Sequence, residues 1–369
     1  MTRVLVGNMF DSRAQTLVNT VNCVGIMGKG IALEFKTRFP EMFKDYEARC
    51  RRGEVRLGEP YLYRYLTQPW ILNFPTKDHW RSVAKLDDIV RGLEYLSKHY
   101  REWGIQSLAV PPLGCGEGRL EWRIVGRTLY RYLSRMDLEV EIYAPYGTPD
   151  EQLRLDFLGG DTPSLPSGQA RIKAAWVALA SILKRIEDEP YHWPIGRTSF
   201  QKIAYVATAE GIPTGLHYSR GSFGPFSPDV KRVVTTLVNN GLVKEERRGQ
   251  MFTVTVGPGY EDAAIGFHRE LEPWGDCIAR IADLFMRANS SNAEMIATVL
   301  FAAGELLAVR NDVTEADVHQ SVMQWKQRRT PPFEGEQVAS VIRGLAALGW
   351  LNVRSSRNLI PQGVDTLGF

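Results

Sequence analysis

At 369 residues the chain is about twice what one hydrophobic core organises, so two domains are expected. Hydrophobic residues at 44%, charged residues at 24%, and 33 Gly with 20 Pro lie near globular averages, which excludes disordered, collagen-like and coiled-coil chains. The 45 basic and 42 acidic residues leave a net charge of +3, too balanced to coat nucleic acid by bulk electrostatics, so any nucleic-acid contact must be local.

The first 145 residues alternate β-rich runs with amphipathic stretches. Strands are predicted at Arg3-Val4-Leu5-Val6, Thr16-Leu17-Val18-Asn19-Thr20-Val21, Tyr61-Leu62-Tyr63-Arg64-Tyr65, Trp70-Ile71-Leu72-Asn73-Phe74, Ser107-Leu108-Ala109-Val110 and Val140-Glu141-Ile142-Tyr143. Helices are predicted over 29–52, 86–103 and 121–136. The alternation implies an α/β domain with a parallel or mixed sheet covered on both faces, and it places ligand sites in loops at the carboxyl ends of strands.

A turn-rich stretch, Gly159-Gly160-Asp161-Thr162-Pro163-Ser164-Leu165-Pro166-Ser167-Gly168, reads as a linker, giving domains 1–155 and 170–369 with the linker at 156–169. The second half is mainly helical, with helices predicted over 170–189, 199–209, 229–240 and 337–348. The third of these runs into Gly241-Leu242-Val243-Lys244-Glu245-Glu246 and, past a Gly-containing tip, Met251-Phe252-Thr253-Val254-Thr255-Val256, the outline of a winged helix. After the last, Gly349-Trp350-Leu351-Asn352-Val353 repeats the helix–Gly–strand pattern. From residue 160 onward 22 basic and 22 acidic residues cancel, so the positive excess lies in the first half. A neutral second domain suits a protein partner better than duplex DNA.

The four cysteines, Cys23, Cys50, Cys115 and Cys277, form no CxxC pair and have no His at ligand spacing, so neither a disulfide framework nor a zinc site is expected, and a reducing cytoplasm fits. No signal sequence and no membrane-spanning run of about 18 apolar residues is recognisable.

Three segments carry candidate chemistry. In Asn19-Thr20-Val21-Asn22-Cys23-Val24-Gly25-Ile26-Met27-Gly28-Lys29-Gly30-Ile31-Ala32 a strand end passes through a Gly-rich loop into a helix N-terminus, suited to an anion such as a pyrophosphate, with side-chain amides able to bond ribose hydroxyls. It is neither a P-loop nor a dinucleotide fingerprint. A second loop, Pro111-Pro112-Leu113-Gly114-Cys115-Gly116-Glu117-Gly118-Arg119-Leu120, follows another strand, and two such loops can clamp a diphosphate from both sides. The third is Asn73-Phe74-Pro75-Thr76-Lys77-Asp78-His79-Trp80, where desolvation of Lys77 would make it usable as a nucleophile or proton carrier; a solvated surface lysine is the alternative.

Together these segments resemble the macrodomain family, whose members bind ADP-ribose. More narrowly, Val21-Asn22-Cys23-Val24-Gly25-Ile26-Met27-Gly28-Lys29-Gly30, Gly114-Cys115-Gly116 and Leu120-Glu121-Trp122 resemble its terminal-ADP-ribose glycohydrolase branch. The Asn73–His79–Trp80 segment, joined to a further domain of this length, is similar to the antitoxins of DarT–DarG systems. The motifs cover residues 1–145, and architecture carries the likeness beyond them.

The resemblance implies hydrolysis of ADP-ribose from thymine in single-stranded DNA, direct neutralisation of a cognate DarT-like toxin by the second domain, no cofactor and no metal. It further implies Lys77 as the catalytic lysine. ADP-ribose would be held by Asn8, Met9, Asn19, Asn22, Val24, Gly25, Met27, Gly28, Gly30, Ile31, Thr76, Gly114, Cys115, Gly116, Glu117 and Gly118. Two departures stand out. Asn8 occupies the place of an Asp that receives the adenine amino group, and Gly118, beside Glu117, stands where that branch has an Asp working with the lysine. A non-catalytic ADP-ribose reader coupled to a winged-helix transcription regulator is the competing expectation.

Overall fold

The computed structural model describes residues 1–159, 172–249, 251–356 and 359. They form two compact units, Met1–Arg171 with Lys231–Asn240, and Ile172–Val230 with Gly241–Phe369.

The first unit is built on β1 (Thr2–Val6), β2 (Thr16–Asn22), α1 (Gly30–Arg38), α2 (Pro40–Arg51), β3 (Tyr61–Tyr63), β4 (Trp70–Lys77), α3 (Leu86–His99), β5 (Ser107–Val110), α4 (Trp122–Leu133), β6 (Glu139–Ala144) and α5 (Leu155–Gly159). Its sheet has the order β1-β6-β5-β2-β4-β3, parallel throughout except for the antiparallel β3–β4 pair at one edge. Hydrophobic residues fill both faces, as a covered parallel sheet requires. On one face Leu72, Phe74, Ile89, Leu93, Val125 and Leu129 pack together under α3 and α4. On the other, Leu17, Met27, Phe35, Met42, Tyr46 and Ile71 pack under α1 and α2. The result is the three-layer α/β arrangement expected from the alternation.

The expected helix 29–52 is two helices. Phe39, with φ −129° and ψ 64°, leaves the helical region because the following Pro40 crowds its backbone, and Pro40 then opens α2 where its missing N–H is not needed. The expected strand 61–65 stops at Tyr63, whereas β4 runs on to Lys77 through Pro75. A proline inside a paired strand removes a ladder donor, and the β2–β4 register accordingly shifts between Val21 and Asn22, so that Asn22 lies opposite Lys77. The expected linker 156–169 begins within α5, and its residues 160–169 lie outside the described residues.

The second unit is mainly helical. Its elements include α6 (Ala174–Asp188), α7 (Arg197–Ala209), the hairpin β7 (Ser219–Gly221) and β8 (Gly224–Phe226), and, after α8 (Val230–Asn239), the hairpin β9 (Val243–Arg248) and β10 (Met251–Val256). Then follow α9 (Tyr260–Gly266), α10 (His268–Leu271), α11 (Gly275–Phe285), α12 (Ser290–Leu307), α13 (Glu315–Trp325) and α14 (Gly335–Ala347). The hairpin β9–β10 is antiparallel, while α8, the helix before it in the expected outline, groups from Lys231 onward with the first unit. Arg197 of α7 pairs with the buried Glu245 of β9, and its guanidinium lies 3.8 Å over the Phe252 ring of β10. No strand follows Gly349 among the described residues. The glycine, at φ +73°, ends α14, and the next segment contributes only a bridge between Thr314 and Arg354.

Candidate active site

The carboxyl ends of β2, β4 and β5 carry the three segments singled out in the sequence. At the end of β2, Asn22 organises the loop that follows it. Its Oδ1 accepts from Val24 N at 3.0 Å, Ile26 N at 3.4 Å and Tyr46 Oη at 3.1 Å, and its Nδ2 donates to Ile26 O at 2.5 Å. Both polar atoms expected to reach a ribose are therefore engaged by the loop itself. Gly25, at φ +80°, lies against α2, where an added Cβ would sit 3.6 Å from Cys50 Cβ. Met27 is buried beneath the loop, whereas Val24, Ile26, Gly28 and Gly30 face solvent and Ile31 is half-buried. Lys29 precedes α1 without a side-chain cap, which leaves the first backbone N–H groups of that helix to an external acceptor.

The loop after β5 is built from tight turns. Cys115 N donates to Pro112 O, Arg119 N to Gly116 O and Leu120 N to Gly114 O. Gly114 has φ +73°, and Arg119, at +63°, is the non-glycine residue with positive φ among the described residues. A Cβ on Gly118 would stand 2.2 Å from the Gly114 carbonyl oxygen, so this loop shape excludes any side chain there, an aspartate included. The missing carboxylate is a condition of the loop's geometry. Glu117 and Gly116 are exposed, Gly118 is buried and Cys115 is half-buried.

The end of β4 lies beside that of β2, on the side away from β5. Lys77 is 7% exposed, and its Nζ donates to the carbonyl oxygen of Glu117 at 2.8 Å. The bland expectation of a solvated surface lysine is thereby overturned. The same carbonyl accepts Lys231 Nζ, also at 2.8 Å. Thr76 is buried, with its hydroxyl 3.5 Å from Val21 O. Asn19, expected beside the ligand, is instead fully buried in the sheet, where its Nδ2 donates to Asn73 Oδ1 at 2.9 Å. Asn19 lies one strand turn below the loop that Asn22 holds.

Near the start of the chain, Asn8 caps a short 3-10 helix (Met9–Asp11): its Oδ1 accepts from Phe10 N at 3.2 Å and its Nδ2 donates to Asp11 Oδ1 at 3.2 Å. Met9 is buried. Asp11, unremarked in the sequence, brings a carboxylate to the side-chain amide of Asn8, the position where one was missing. Tyr46 was unremarked too, and its buried hydroxyl donates to Asn22 O at 2.8 Å; only the apolar face of α2 signalled it.

The thiols do not compete as nucleophiles. Burial, reinforced by Cys50 and Asp78, pushes the Cys23 thiol up to about 12, and burial alone pushes Cys115 to about 12. Both are protonated at neutral pH. No cluster of metal-ligating side chains occurs among the described residues. What the site offers is a buried primary amine held to the backbone of the glycine-rich loop after β5, close to the end of β2 and its own glycine-rich loop.

This three-layer unit with its paired loops is a macrodomain, and the Macro domain family matches residues 18–129. Over 347 residues the chain is 30% identical to the DNA ADP-ribosyl glycohydrolase of Thermus aquaticus, covering 92% of each, and over 351 residues it is 31% identical to that of Mycobacterium tuberculosis, covering 90% of this chain and 95% of the relative. The chain belongs to the DNA ADP-ribosyl glycohydrolase family, a family of hydrolases. A third relative, a DNA ADP-ribosyl transferase-DNA ADP-ribosyl glycohydrolase fusion protein from Thermosipho africanus, is 42% identical over 172 residues, 41% of this chain and 44% of that one. No helix among the described residues is long and apolar enough to cross a membrane.

Proposed function

We propose that the first unit releases ADP-ribose from thymine bases in single-stranded DNA with Lys77 as the catalytic residue, and that the second unit neutralises a cognate DNA ADP-ribosyltransferase toxin by binding it. The observation that carries the catalytic assignment is the buried Lys77 ammonium held at 2.8 Å to the backbone of the loop after β5.

In this reading the exposed backbone of the 24–30 loop and the N-terminus of α1 hold the phosphate next to the distal ribose, and the 114–118 loop wraps the other side of the diphosphate. At the far end, Met9 and the Asn8–Asp11 pair face the adenine, with the Asp11 carboxylate as acceptor for its amino group. Gly25, Met27, Gly28, Ile31, Thr76, Gly114, Cys115 and Gly116 shape these walls, and Asn19 and Asn22 support them from below.

The bond broken joins ribose C1″ to a thymine ring nitrogen. Its electron pair leaves with the base, and oxocarbenium character grows on the ribose, stabilised by the neighbouring diphosphate. One route has the Lys77 ammonium give its proton to the departing thymine while water adds to C1″ and loses a proton. In the other, neutral Lys77 attacks C1″ and water later displaces it. Both end in free ADP-ribose and intact thymine.

Lys77→Ala is expected to lower the release of ADP-ribose from modified single-stranded DNA by at least about 100-fold, the scale of a lost general acid, while calorimetry still detects ADP-ribose binding. Turnover near the wild-type rate would remove Lys77 from the mechanism.

Support for the toxin partner comes from the fusion relative, which joins a transferase and a glycohydrolase in one chain. It also comes from the charge balance of residues 160–369, which gives no bulk attraction to DNA. The full-length Lys77→Ala variant, which should not hydrolyse the adduct, is expected still to bind the toxin and block its transfer reaction. Loss of that block together with hydrolysis would sink the assignment of neutralisation to binding.

A further inference from the structure

Immediately after Lys77 the chain makes a turn that brings three side chains together. The His79 and Trp80 rings lie with centroids 5.5 Å apart and planes at 29°, and the Arg81 guanidinium sits 4.5 Å over the indole. The turn is fixed by Arg81 N donating to His79 Nδ1 at 3.2 Å, Ser82 N donating to His79 O at 2.9 Å, and Cys23 N donating to Asp78 O at 3.1 Å. The last bond ties this turn to the loop that Asn22 organises. Despite that ordering, Trp80 is 45% exposed and Arg81 is exposed. An indole held this rigidly in solvent contributes little burial to the fold.

The substrate is a polymer, yet the two glycine-rich loops can recognise only its ADP-ribose portion. Whatever grips the strand must lie beside the scissile bond. Stacking on an aromatic face and pairing of a cation with phosphate are the two interactions that hold single strands without reading their sequence. Trp80 and Arg81 supply one of each, three and four residues from Lys77. Exposed Lys85 and Arg119, on the segments that follow β4 and β5, are balanced by exposed Asp78 and Glu117, which leaves Arg81 as the cation adjoining the indole.

We propose that Trp80 and Arg81 form the subsite for the nucleotide next to the ADP-ribosylated base, the neighbouring base stacking in the Trp80–Arg81 array and its phosphate pairing with Arg81. This rests on the single-stranded-DNA reading above. The subsite makes the enzyme prefer an adduct within a strand over the same adduct on an isolated nucleoside.

The test compares the full chain and its variants on two substrates, an ADP-ribosylated thymine-containing oligonucleotide and ADP-ribosylated thymidine. Trp80→Ala should raise KM for the oligonucleotide about tenfold or more, leave kcat within twofold, and leave thymidine-adduct kinetics alone, while Trp80→Phe restores most of the loss. Arg81→Ala should reduce the salt dependence of oligonucleotide binding by about one phosphate contact.

Unchanged oligonucleotide KM in Trp80→Ala would overturn the proposal, as would an equal loss on both substrates, which would mark damage to the Lys77 turn. Unchanged hydrolysis with lost toxin inhibition would also overturn it, by assigning the stack to a protein partner. Wild-type inactivity on both substrates would instead defeat the thymine reading on which the subsite rests.

Discussion

Gly118 and Arg119 show how tightly single residues set this site. The family branch that the sequence resembles has an aspartate where this chain has Gly118, and adding one cannot be a gain of function, because its Cβ would collide with the Gly114 carbonyl. Gly118→Asp is expected to lower ADP-ribose affinity together with turnover and to cost about 1–3 kcal/mol or more in denaturant unfolding. At Arg119 the positive φ of 63° strains an L-residue, so Arg119→Gly should stabilise the fold by about 1 kcal/mol. Cys23 offers a pH readout. Its folded-state value of about 12 exceeds that of an unfolded thiol, so the contribution is fully present below the unfolded value and is lost as pH rises toward 12. Stability of Cys23→Ser relative to the parent should therefore improve as pH increases from about 9 to 12, and alkylation of Cys23 in the folded chain should stay slow up to pH 9.

Among the elements, the strands were legible because parallel, doubly covered strands read as apolar runs, and both glycine-rich loops were legible because few other residues tolerate their backbone. The β2–β4 irregularity was not: Pro75 inside an apolar run hides the register shift that brings Asn22 opposite Lys77. Nor could sequence show that the amide of Asn22 turns back into its own loop, or that Asn19, three residues earlier, is sealed inside the sheet. Those outcomes depend on pairing with Asn73 and on Tyr46 arriving from α2. In the second unit short, evenly helical segments from 260 to 335 gave little pattern contrast, and β7 and β8 were missed altogether. That hairpin is held from within. Lys202 of α7, 2% exposed, donates to Pro225 O at 2.7 Å, and Lys326 donates to Ser222 O at 2.8 Å and to Glu294 at 2.7 Å. Burial, with Lys326 nearby, lowers Lys202 to about 8. An unfolded lysine keeps its proton to about 10.4, so the unfolded chain binds more protons in between. The stability of the parent relative to Lys202→Met should rise between about pH 8 and 10, as measured by urea unfolding.

For the whole molecule, charge bookkeeping along the sequence separated the two halves before any fold was known. It left the positive excess with residues 1–159 and an even balance with residues 160–369. Composition could not reveal that the segment Lys231–Asn240 groups with the first unit, because that depends on tertiary contacts alone.

The partner of Lys77 is a main-chain carbonyl, and that has a genetic consequence. Exchanging the Glu117 side chain leaves the acceptor in place, so the lysine's aim is insulated from mutation at the residue it touches. It is exposed instead to mutation at Gly114 and Gly118, where a single added carbon reshapes the turn that carries the oxygen. Inactivating changes in this loop should therefore cluster at Gly114 and Gly118 and spare Glu117.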